Sequence, residues 1–149
     1  MQYPSHQRVI QMALTLLEKQ MKQKPISFNS SAETLQYLRL QLEQLEREVC
    51  MVLYLDNQHR LITSEISSQG TINATSVYPR EIVKAALSHN AAAVILAHNH
   101  PSGMAEPSHA DRTITNTLVN ALSLMDIKVL DHVVIGHGES ISFAERGWL

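Results

Sequence analysis

The sequence predicts an α/β fold, a mixed β-sheet flanked by helices, and three observations carry that prediction. Two runs, Val49–Leu55 and Ala93–His98, are apolar nearly throughout, as strands buried on both faces are. Around them, apolar residues recur every three or four positions, the period of helices packed on a sheet. The two textures alternate along the chain, with polar turns between them and neither an internal repeat nor a long linker.

Taken in order, Val9, Met12, Ala13, Leu16, Leu17 and Met21 fall at helical spacing and predict an amphipathic helix of about 16 residues. Lys22, Lys24 and Pro25 stop it. After the polar stretch Pro25–Ser31, Ser30-Ser31-Ala32-Glu33 has the Ser-x-x-Glu form of a capping box. Leu35, Leu38, Leu42 and Leu45 then form a narrow leucine seam, which suits the core first and a homodimer contact second. Residues 1–46 therefore read as an N-terminal helical extension, and residues 47–149 as the main domain.

Val49–Leu55 opens that domain as a strand, Asp56–His59 turns, and Arg60–Ile66 returns. Another strand is expected near Thr71–Val77. Pro79 sits where a first-turn proline belongs, ahead of a helix through Ile82, Val83, Ala86 and Leu87. The strand Ala93–His98, a helix over Asp111–Met125 and a strand over Lys128–Ile135 follow. Gly136–Glu139 makes a hairpin turn into a last strand, Ser140–Phe143.

Bulk properties narrow the function. The longest apolar run is far shorter than the roughly 18 residues a membrane span needs, and the N-terminus has no secretory apolar region. The single cysteine, Cys50, excludes an internal disulfide framework and suits a reducing cytoplasm. A formal charge of -2 gives no broad basic surface for nucleic acid.

Chemistry concentrates in residues 95–111. His98 and His100, two apart at a strand end, point to the same side. Two neutral imidazoles suit Zn²⁺, which in catalytic sites commonly takes three protein ligands and a water. Asp111 follows Ser108 by three, so Ser108 is also a natural N-cap with Asp111 at the third helical position. The turn Pro101-Ser102-Gly103 lets the chain reverse, so that the first turn of that helix can face the strand end. Other His-x-His metal folds fit poorly: an amidohydrolase barrel needs about 250 residues, and a jelly roll would not carry so many helices.

The spacing His98-x-His100, seven residues, Ser108, two residues, Asp111 resembles the JAMM motif of MPN-type zinc hydrolases. The stretch His98-Asn99-His100-Pro101-Ser102-Gly103 is similar to the RadC family in particular. So are Gly70-Thr71-Ile72-Asn73 and Tyr78-Pro79-Arg80-Glu81 upstream, and Val129-Leu130-Asp131-His132 downstream. The likeness runs from about residue 5 to the C-terminus and is nearest to short RadC-like proteins without a helix-hairpin-helix region. It implies a layered JAMM/MPN architecture of the cytidine-deaminase-like kind. It implies zinc on His98, His100 and Asp111, a general base at Glu48, and assistance at the metal site from Ser108. Glu46 and Glu65 are the rivals to Glu48. Asn99 stands where eukaryotic JAMM sequences carry Ser or Thr.

The expected activity is metallopeptidase- or isopeptidase-like hydrolysis of a protein or peptide. The alternatives are a DNA-repair accessory role, which the RadC label implies and the charge does not support, and a metal-binding module without turnover. Cys50 reads as a packed thiol, and His6, His59, His89, His109 and His137 as solvent histidines. His132 is either a partner of the site or a strand residue, and Trp148 either anchors the tail or lines a cleft.

Overall fold

A computed structural model of the chain describes residues 5–26, 32–69 and 77–149. The capping box at Ser30 and the strand expected near Thr71 lie outside the described residues, apart from Val77. The elements are α1 (His6–Gln23), α2 (Ala32–Leu42), β1 (Val49–Leu55), β2 (Leu61–Gln69), α3 (Pro79–Ser88), β3 (Ala93–Asn99), α4 (His109–Ser123), β4 (Lys128–Ile135) and β5 (Ser140–Ser142). The five strands form one sheet in the order β2-β1-β3-β4-β5. β3 and β4 are parallel and the other neighbours antiparallel, so the sheet is mixed, as the sequence predicts and consistent with the JAMM/MPN-like architecture expected there.

β1 and β3 are buried at every position, which their unbroken apolar runs require. The two-residue period sends alternate side chains into two cores. Met51, Leu53, Leu55, Ile95 and Ala97 pack with Leu14, Met21, Tyr37, Leu38 and Leu42 of α1 and α2. Val52, Tyr54, Val94 and Leu96 pack with Ile82 and Ala86 of α3 and with Leu118 and Leu122 of α4. A smaller cluster, Ala105, Val134 and Phe143, lies under Ile141 and Trp148 at the C-terminal end. Trp148 thus anchors the tail: its ring meets Phe143 edge-on at 5.1 Å, and the Arg112 guanidinium sits 4.0 Å over it.

The structure corrects the expected face of α1. Leu14 and Met21 are buried, Ile10 and Leu17 pack against them, and Val9, Met12 and Leu16 are exposed. α1 is apolar around most of its circumference, so two stripes have helical spacing. The stripe 10, 14, 17, 21 is the one that faces α2 and the sheet. The leucine seam of α2 places Leu38 and Leu42 in the core, but the helix ends at Leu42, which leaves Leu45 exposed.

Two strand and helix ends also differ from expectation. β2 runs on to Gln69 because its pairing with β1 continues past a register shift between Cys50 and Met51, where Ser67 Oγ donates to the Cys50 carbonyl. The polar residues that follow Ile66 hid this from a hydrophobic reading. α4 ends at Ser123, with Leu124 and Met125 exposed, because Asp126 adopts a left-handed conformation and returns the chain to β4. Pro79 opens α3 as expected. Among the described residues, no helix is long and apolar enough to cross a membrane.

The register of α1 is testable in one pair of variants. Leu14→Ala should cost about 2–5 kcal/mol, whereas Leu16→Ala should fall within about 0.5 kcal/mol of the parent. Urea denaturation of both decides, and equal losses would contradict the burial described.

Candidate metal centre

β3 sends His98 and His100 to the α4 side of the sheet, because even-numbered residues of this strand face that core. β1 runs antiparallel beside it with Cys50 opposite His98, so Glu48, two residues before Cys50, reaches the same edge. α4 begins at His109 with Ser108 as N-cap. The Ser108 hydroxyl accepts from the Asp111 amide at 3.0 Å, and the Asp111 carboxylate accepts from the Ser108 amide at 2.9 Å. This reciprocal capping box holds Asp111 at the third helical position with its carboxylate facing the strand end. The four residues Glu48, His98, His100 and Asp111 thereby bring one ligand atom each within 4.8 Å of one another.

Hydrogen-bond accounting fixes which ring nitrogens face this point. His100 Nδ1 lies 2.9 Å from the Met104 carbonyl, which only an N–H can satisfy, so Nε2 bears the lone pair. The loop carrying Met104 is braced by the β4–β5 turn. The His137 amide donates to the Gly103 carbonyl, and the Ala105 amide donates to Glu139. At Gly136 a Cβ would strike the Gly103 carbonyl, so this approach needs glycine.

The second chain of bonds starts on α4. The Thr115 hydroxyl donates to the Asp111 backbone carbonyl at 2.7 Å and so can only accept from His132 Nδ1. Burial, with His98 close beside it, pushes the His132 pKa well down, so its ring is neutral and carries one N–H. His132 Nε2 must then accept from His98 Nδ1 at 2.7 Å, leaving His98 Nε2 bare. Phe143 stacks on the His132 ring at 4.6 Å and holds its plane.

Two bare Nε2 atoms and two carboxylates therefore converge. His98 and His100 Nε2 lie 3.0 Å apart and stand 3.3 and 3.1 Å from Asp111 Oδ2, and Glu48 Oε1 is 4.0 Å from His98 Nε2. Such a set of lone pairs calls for a cation between them. The Asp111 carboxylate raises the His100 pKa. Burial pushes Asp111 up, but the neighbouring imidazoles of His100 and His98, with the Ser108 amide, outweigh it and hold the carboxyl well below the usual range. Burial raises the Glu48 carboxyl, partly offset by His98.

The other sequence candidates go elsewhere. Glu46 is exposed, and Glu65 pairs with His89 at 2.8 Å. His89 is therefore a partnered residue lying 4.9 Å from the Tyr54 ring, not the solvent histidine expected. His109 and His137 are exposed. The sequence left His132 open and did not single out Thr115 or the Met104 carbonyl. Only the quoted Val129–His132 block hinted at His132.

With this geometry in place, the comparisons with known proteins are informative. A family model described as the RadC-like JAB domain matches residues 28–148, so the chain belongs to the RadC family. The chain is 55% identical over 147 residues to a UPF0758 protein of Vibrio parahaemolyticus, covering 99% of this chain and 65% of that one. It is 56% identical over 143 residues to one from Vibrio cholerae (96% and 63%) and 55% identical over 145 residues to one from Pseudoalteromonas translucida (97% and 64%). The chain thus spans just under two thirds of the length of these relatives.

Cys50 sits on β1 directly behind this cluster and is buried, which pushes its thiol up to about 11. At about pH 8 the folded chain should hold almost no thiolate, against an ordinary thiol pKa near 8.5. Iodoacetamide should accordingly label it slowly in buffer and rapidly in concentrated urea. Fast labelling of the folded chain would contradict the packing.

Proposed function

We propose that this chain is a zinc-dependent hydrolase of the metallopeptidase or isopeptidase type, acting on an amide bond of a protein or peptide. One observation carries the reading: four ligand-type side chains from the Glu48 segment, the end of β3 and the start of α4 converge within 4.8 Å. The donor set fits the ion, since two imidazoles and a carboxylate are a usual catalytic zinc shell with one position open. His98, His100 and Asp111 would hold it. Bound there, zinc supplies Lewis acidity and brings the pKa of a water to about 7.

The remaining work falls to the chain itself. Glu48 takes a proton from the attacking water and delivers it to the leaving amine. Its raised pKa brings it nearer the range useful to a base at neutral pH. Ser108 Oγ already accepts from the Asp111 amide, so its own hydrogen is left to donate to the oxyanion that develops on the substrate. Such a donor is worth about 3 kcal/mol in other hydrolases. A single buried cysteine fits a reducing, cytoplasmic setting.

Metal analysis by plasma mass spectrometry on untagged protein tests the site. The parent should carry about one zinc per chain, lost in His98→Ala and in Asp111→Ala. Equal metal in all three, or none, would sink the reading and turn attention to DNA, where binding by phosphate contacts would weaken steeply with salt. Catalysis is tested separately by Glu48→Gln, which should keep the metal and lower peptide cleavage by about 10²–10⁴-fold. Unchanged cleavage would remove Glu48 from the mechanism.

A further inference from the structure

We propose that Asn99 is the positioning residue for Glu48. Its carboxamide clamps the peptide groups on both sides of Glu48 and so sets where that carboxylate points. The inference rests on Glu48 being the general base.

Asn99 lies between the two histidines, so the strand period sends its side chain to the opposite face of the sheet, toward the α1–α2 layer. It is 2% exposed. Its Oδ1 accepts from the Val49 amide at 2.7 Å, and its Nδ2 donates to the Arg47 carbonyl at 2.9 Å and the Leu45 carbonyl at 3.4 Å. The partners determine the orientation: two carbonyls need the NH₂ end, and an N–H needs the oxygen.

The Arg47 carbonyl belongs to the peptide before the Glu48 Cα, and the Val49 amide to the peptide after it. Peptide groups are planar, so holding both planes fixes the two free backbone dihedrals of Glu48 and with them its Cα–Cβ direction. Neither strand pairing holds the peptide before Glu48: the β1–β3 ladder starts at Cys50 and the β1–β2 pairing at Val49. Among the described residues no hydrogen bond reaches the Glu48 carboxylate, and His98 Nε2 lies 4.0 Å from it. Aspartate would keep the acceptor and lose both donors. Serine is too short to span the two peptides, and glutamine sets the same groups one methylene farther out. One strand end thus presents the candidate ligands on one face and, on the other, the clamp for the base.

Cobalt(II) in place of zinc gives a visible spectrum that follows ionisation at the site, and its pH midpoint is the readout. It is measured for the parent, Glu48→Gln, Asn99→Ser and the double variant. Asn99→Ser should retain cobalt, move the midpoint toward that of Glu48→Gln, and add nothing in the Glu48→Gln background. A residue that merely stabilised the fold would leave the midpoint alone. Amide hydrogen exchange on the metal-free protein supplies the second readout. The Val49 amide should exchange slowly in the parent and quickly in Asn99→Ser, with Leu53 and Leu55 still protected.

A parental midpoint in Asn99→Ser, the same shift in both backgrounds, or unchanged Val49 exchange overturns the proposal. If the parent binds no cobalt, the hydrolase reading fails, and the exchange measurement still decides whether Asn99 orders residues 45–49. Should Asn99→Ser not fold, Asn99→Asp supports the same comparison, because it keeps the bond to Val49 and removes those to Arg47 and Leu45.

Discussion

Everything at the candidate centre depends on the alternation of β3. Seven consecutive buried residues commit odd positions to the α1–α2 core and even positions to the α3–α4 core. His98, Asn99 and His100 inherit that alternation as the strand runs out. A slip of one residue would place a carboxamide where the imidazoles converge and drive two imidazoles into the apolar layer under α2. Apolar packing at Ile95, Leu96 and Ala97 is therefore what aims the polar residues beyond them.

The polar cluster is self-consistent to an unusual depth. Asp111 caps its own helix, faces both histidines through Oδ2, and offers its backbone carbonyl to Thr115. From Thr115 the bonds run through His132 back to His98, so a closed circuit joins one candidate ligand to another. Among the described residues, no buried side-chain nitrogen or oxygen lacks a partner. Outer groups of this kind orient metal ligands and raise their basicity. Here they also decide which nitrogen of each ring is bare.

Much of this was legible in the sequence, for definite reasons. β1 and β3 were visible because strands buried on both faces must be apolar throughout, and α3 because proline marks a helix start. His98, His100, Ser108 and Asp111 were visible because strand and cap periodicities share one short segment. The packed face of α1 was not, because two apolar stripes on one helix have the same period and only the sheet can choose between them. The end of β2 was hidden by polar residues that pair through backbone alone. The roles of Asn99, Thr115 and Met104 depend on bonds to or from the main chain. Main-chain groups leave no mark on residue type.

The separation of these residues along the chain bears on how the centre assembles. His100 and Asp111 are eleven residues apart, whereas Asn99 meets Val49 across fifty. Closing the longer loop costs about 1.3 kcal/mol more in chain entropy, before any strand pairing repays it. During folding, the imidazoles and the aspartate can thus meet within a β3–α4 unit, while the glutamate arrives only when β1 docks. On the proposed mechanism, an ion captured at that stage would meet a chain without its base, and the order of assembly would keep a half-built centre inert.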